Sequence, residues 1–182
     1  MRKIFTVTGS EEHELDYGLV YEHQVHPTWQ RIVTSDSTID HRVLKELLRA
    51  LGEKVILLYI LHTPRGEQDP GRYESEVISQ AEAQSFIDRF AAYLHGDARF
   101  DIWFHGQETN ATIVLDRHDL IYCYGLMAIF TSVLVSRGYS SGKPLVPFPH
   151  SHHYRPEFDR DGRDVLSAMR WKRSNLRPED EQ

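Results

Sequence analysis

Apolar residues recur at helical spacing in four stretches of this chain and alternate at period two in most of the remainder. Ile39, Val43, Leu44, Leu47, Leu48 and Leu51 form one stripe and predict a helix over 38–51. Ser35, Asp36 and Ser37 are its cap candidates, because a short oxygen side chain accepts from the free amides of a first turn, and Gly52 is its stop. A second helix starts at Ser79, where Glu82 stands three positions on and completes a capping box. Its buried stripe is Ala83, Phe86, Ile87, Phe90, Ala91 and Leu94, and Gly96 closes it. A third follows Gly125, with Leu126, Ile129, Phe130, Val133 and Leu134 inward and Arg137–Gly138 at its end. A fourth, over 161–172, presents Val165, Leu166 and Met169, with Arg170, Lys172 and Arg173 complementing the helix dipole at its carboxyl end.

Between the helices lie strands. Residues 3–8 alternate Ile4, Thr6 and Thr8 against Phe5 and Val7, and the acidic run 9–16 reads as a turn or loop. Residues 17–25 and 29–34 are extended candidates separated by Pro27, which lacks an amide donor and so marks an edge or a turn. Residues 54–62 are apolar on both faces, the pattern of a strand inside a sheet. The polar stretch 63–73 reads as a loop.

The most foldable stretch is 99–138, three consecutive strands feeding the third helix. Phe100, Ile102 and Phe104 face one way; Asp101, Trp103 and His105 face the other. With Arg117 and His118 at a hairpin tip, Leu115 pairs with Leu120, Ile113 with Tyr122 and Ala111 with Tyr124. One face then carries Ala111, Ile113, Leu115, Leu120, Tyr122 and Tyr124, the other Thr112, Val114, Ile121 and Cys123. A slip of one residue would exchange the two sets.

These elements predict an α+β fold: a mixed, largely antiparallel sheet with about four packed helices, in a single domain spanning 1–182. The proline-rich segment 143–160 is expected to wrap the body in extended form, and 174–182 to fray.

Composition narrows the function classes. The net charge of -6 argues against general affinity for nucleic-acid phosphates. The amino terminus has too short an apolar run for a signal peptide, and no run approaches a bilayer span. One cysteine cannot form an internal disulfide, so a cytoplasmic, soluble protein is expected.

The eleven histidines are the one compositional oddity. His150, His152 and His153 form the metal-like cluster, since H-x-H sets two imidazoles on one side of an extended chain. His105 or His118 could complete a site for zinc or another transition metal. Cys123 reads as core packing rather than a nucleophile, and no G-x-S-x-G, H-E-x-x-H, C-x-x-C or phosphate-loop pattern occurs. Asp101 with His105 has the spacing of an acid–base pair on a strand face. Trp103 and Arg117 suit a partner surface, so the polar edge Asp101, Trp103, His105, Asp116, Arg117, His118 and Asp119 is the candidate binding surface.

In general cast this small, acidic, cysteine-poor chain resembles compact bacterial proteins that bind or neutralise a partner, such as toxin-immunity proteins. That resemblance implies a non-catalytic protein that binds another protein, with no cofactor, membrane or nucleic acid. The competing expectation is a metal-dependent hydrolase built on His150, His152 and His153.

Overall fold

The computed structural model describes residues 2–36 and 38–180. In chain order they form β1 (Ile4–Thr8), β2 (Glu11–Glu14), β3 (Val20–His26), β4 (Trp29–Ser35), α1 (Arg42–Arg49), β5 (Lys54–Leu61), β6 (Gly71–Ser75), β7 (Ile78–Ser79) and α2 (Gln80–Gly96). Then follow β8 (Phe100–Gly106), β9 (Ala111–Leu115), β10 (Leu120–Tyr124), α3 (Met127–Ser136), β11 (Ser140–Ser141), β12 (His150–His152), α4 (Asp159–Ser167) and β13 (Trp171–Ser174). The fold is α+β, with four helices among the described residues and a mixed, mostly antiparallel large sheet. No described helix is long and apolar enough to cross a membrane.

The large sheet runs β11-β3-β4-β10-β9-β8-β5-β6-β13, with β7 beside β5. Among the described residues its one parallel pair is β11 on β3. Apolar side chains of one face (Leu57, Tyr59, Phe100, Ile102, Phe104, Ile113 and Cys123 among them) pack under the helices in the main core. The doubly apolar β5 lies between β8 and β6, as its pattern requires. α2 starts with the expected capping box: Ser79 accepts from the Glu82 amide, and Glu82 accepts from the Ser79 amide at 2.8 Å.

A second, three-stranded sheet has the order β12-β1-β2. Here the acidic run after Gly9 departs from the expected loop, because Glu11–Glu14 pairs with β1 as a solvated edge strand. His150, Ser151 and His152 pair with Thr6, Phe5 and Ile4. The wrapping segment is thus stitched to β1 at the point where its histidines lie.

Further differences follow from local structure. α1 begins at Arg42 rather than residue 38, because His41 takes a left-handed backbone (φ 50°) and Ile39 is exposed. Asp36 still serves the helix: its Oδ2 accepts from the amides of Val43 and Leu44 at 2.8 and 3.1 Å. Ser37 lies outside the described residues. On α3, Ile129 is exposed, and Phe130 and Leu134 carry the burial.

The chain leaves α4 after Ser167, so Lys172 and Arg173 lie in β13 against β6 instead of in a last helical turn. The tail is anchored as far as Asp180, which is buried and paired with Arg72; residues 181–182 lie outside the description.

The β9–β10 register differs by one residue from the expected hairpin. Leu115 pairs with Ile121, Ile113 with Cys123 and Thr112 with Tyr124. The Asp119 amide donates to the Asp116 carbonyl at 3.1 Å, and Asp119 adopts φ 64°. A tight turn followed by a left-handed residue adds a bulge to the loop. Ile121 and Cys123 therefore join Ala111, Ile113 and Leu115 in the core, while Tyr122 and Tyr124 move to the other face with Thr112 and Val114.

Candidate metal centre

The β9–β10 tip and β12 meet. One ring nitrogen each from His118, His150 and His152 lies within 4.8 Å of the other two. The ring centroids are 4.7 Å apart for His118–His152, 5.6 Å for His118–His150 and 5.3 Å for His150–His152.

Local chemistry decides which nitrogens converge. His118 Nδ1 is 3.1 Å from Asp116 Oδ2, a carboxylate that requires a proton on Nδ1. His150 Nδ1 is 2.8 Å from the Pro147 carbonyl oxygen, which imposes the same tautomer. In its neutral form each ring so held keeps its proton on Nδ1 and offers Nε2 as the acceptor. His152 Nε2 is buried without a hydrogen-bond partner, while its Nδ1 lies 3.5 Å from the Tyr154 hydroxyl. Burial, then the neighbouring His118 and His150, push the His152 pKa down to about 4, so this ring is neutral near pH 7.

The tip is held from several sides. Asp116 Oδ1 accepts from the amides of His118 and Leu120 at 2.9 Å each. The buried Tyr17 hydroxyl donates to the His118 carbonyl at 2.7 Å. Asp119 is buried 3.8 Å from Lys3 Nζ and 3.6 Å from Arg2 Nη1. Burial raises Asp119 to about 6, outweighing the pull of the two cations. Since Arg2 and Lys3 lead into β1, this pair ties the His118 tip to the sheet that carries His150 and His152.

The other sequence candidates divide. His153 faces away from the triad, with its ring 4.3 Å from Phe5 and its Nε2 3.2 Å from Glu12. The metal-like cluster is therefore His118, His150 and His152, because alternation along β12 turns residue 153 to the other side. His105 bonds Thr112 through Nδ1 at 2.9 Å and takes no part. Asp101 pairs with His62 Nε2 at 2.9 Å rather than with His105, and its other oxygen accepts from the Arg117 amide at 2.8 Å. Trp103 lines a cavity on the helix-free sheet face.

Cys123 is buried in the core, and burial raises its thiol pKa well above the usual range, which suits packing and not nucleophilic attack. Tyr17, Lys3 and Pro147 went unnoticed in the sequence, where no motif marks them.

Three imidazoles, two of them with Nδ1 tied to an oxygen acceptor, form the donor set of zinc and related ions. Around zinc, nitrogens bound at about 2.05 Å stand roughly 3.3 Å apart, so modest ring rotations would close the triangle.

No family model, no curated protein and no solved structure matches this chain.

Proposed function

We propose that the protein binds one divalent transition metal, zinc by donor chemistry, through Nε2 of His118, His150 and His152. The observation that carries this reading is the convergence of one ring nitrogen from each of three histidines, two of which hold their Nδ1 on an oxygen acceptor. Ring nitrogens gathered in this way repel unless a proton, a cation or water lies between them. The set supplies three protein ligands, the number found in metal centres that keep a position for water. Zinc held by His118, His150 and His152 would supply water activation, the chemistry that a metal-dependent hydrolase uses.

A metal there would also clip the β9–β10 tip to β12, joining the two sheets. Binding to the folded state alone would stabilise it by about 2.7 kcal/mol at a hundredfold excess over Kd.

Elemental analysis of untagged protein tests this, together with His118→Ala, His150→Ala and His152→Ala. The expected result is one metal per chain, lost in each variant and retained in His153→Ala. Substoichiometric metal in protein supplied with zinc, nickel and copper would sink the proposal.

The partner-binding reading keeps one observation in its favour. Phe148 is 94% exposed and Leu145 60% exposed, both on the segment leading into His150. Large apolar side chains in that state are natural anchors for another protein. Co-purification with wild-type protein but not with Phe148→Ser would support it.

A further inference from the structure

On the helix-free face of the large sheet lies a cavity of about 170 Å³, roofed by the carboxyl-terminal turn at Glu179 and Asp180. Its floor is Ile60 and Val114, and Trp103, Tyr122, Tyr124 and Arg31 form its walls. A cavity of about 150 Å³ holds one benzene ring, so the space suits a ligand of that size.

The polar groups of the lining sort into spent acceptors and unspent donors. Asp101 is occupied by His62 and the Arg117 amide, Asp116 by His118, Tyr122 and two backbone amides, and Asp180 by Arg72 and the Arg177 amide. The donors are less well served. Arg31 bonds only to neutral oxygens, Gln24 Oε1 at 2.8 Å and the Tyr124 hydroxyl at 3.1 Å. Among the described residues no carboxylate comes within ion-pairing distance of it. Its guanidinium is held over the rings of Trp29 and Tyr122, at 4.9 and 4.6 Å from their centroids. The Trp103 indole N–H is buried without an acceptor.

We propose that this cavity binds a small planar carboxylate, its anion on Arg31 and its ring between Trp103 and Tyr122 above Ile60 and Val114. The Arg31 guanidinium matches a carboxylate, and the Trp103 ring offers an aromatic wall to the body of the ligand. The aromatic walls and apolar floor favour a flat hydrocarbon body over a hydrated inorganic anion. Of the four lining carboxylates, Asp101, Asp116 and Asp180 are paired with His62, His118 and Arg72. Glu179 is exposed 3.8 Å from Arg177, which leaves Arg31 as the lining charge without a carboxylate partner among the described residues. This site does not depend on the metal reading, since no residue lining the cavity belongs to the histidine triad.

The test is calorimetric titration of the full chain in chelator with benzoate, benzyl alcohol, benzylamine and inorganic phosphate. Benzoate is expected to bind one to one, and the neutral alcohol at least about tenfold more weakly, the scale of a lost charged hydrogen bond. Arg31→Gln should weaken benzoate by at least about tenfold and benzyl alcohol by less, and Trp103→Ala, which removes a wall, should weaken both. Absence of benzoate binding at millimolar concentration, tighter binding of benzylamine, or equal binding of phosphate would overturn the proposal. Should Arg31→Gln fail to fold, the four-ligand comparison on the wild-type chain decides alone. Because chelator is present throughout, failure here leaves the metal reading untouched.

Discussion

Asp116 Oδ2 lies 3.1 Å from His118 Nδ1 and 3.3 Å from the Tyr122 hydroxyl, so one carboxylate oxygen orients a candidate metal-binding ring and holds a wall of the neighbouring cavity. The other oxygen is fixed on two backbone amides of the tip. The carboxylate therefore has little freedom, and the ring it orients inherits that rigidity.

Asp116→Asn tests this orientation. The amide oxygen is expected to keep the two backbone amides, leaving the NH2 to face His118 Nδ1. That donor would move the ring proton to Nε2 and switch off its lone pair. We expect zinc affinity, measured by chelator competition, to fall about 10–100-fold. Unchanged affinity would show that His118 is not held through Asp116.

Histidines 41 and 95 give a pH prediction. Their rings pack 5.9 Å apart in the interior, and His41 Nε2 is 3.2 Å from the Ala91 carbonyl. Burial is the largest cause pushing His41 from 6.5 to about 4 and His95 to about 3. A histidine whose folded pKa is depressed leaves the unfolded chain to take the proton first. Its contribution to stability is full above pH 6.5 and is lost as pH falls toward 4. For His41 the loss is on the order of 3 kcal/mol. Urea midpoints should drop between pH 6.5 and 5, and less steeply in His95→Phe. Equal slopes would remove the histidines as the cause.

Arg99 is fully buried, with its guanidinium 2.8 Å from both Asp97 oxygens, 3.1 Å from Glu67 and 3.1 Å from Asp159. Arg99→Met would strand Asp97 and Glu67 as buried charges, at a cost of about 3–5 kcal/mol in chemical denaturation. Arg99→Lys should recover only part of this, because an ammonium cannot fork across a carboxylate.

Gly106, at the end of β8, closely approaches the turn that follows α1. A Cβ at this position would stand 2.2 Å from the Leu51 carbonyl oxygen and 2.6 Å from Thr109 Oγ1. The backbone must move to admit it, so Gly106→Ala should destabilise by about 1–3 kcal/mol, read as a lowered thermal midpoint. An unshifted midpoint would mean that the contact of β8 with this turn is soft.

Local chemistry was enough to make several elements legible. The Ser79–Glu82 box, the stripe of α2, the two-sided burial of β5 and the alternating faces of β8 follow from short-range hydrogen bonding and from helix and strand periods. The same period of two set His150 and His152 on one side of an extended segment. Tertiary structure decided the rest. The left-handed Asp119 added a residue to the tip and exchanged the faces of β10, which no alternation rule could anticipate. Pairing of β12 with β1, and the tie of Asp119 to Lys3, brought His118 to the other two histidines and left His153 on Glu12. A metal-like site of this kind is an intersection of distant segments, and the sequence alone carries the donors but not their meeting point.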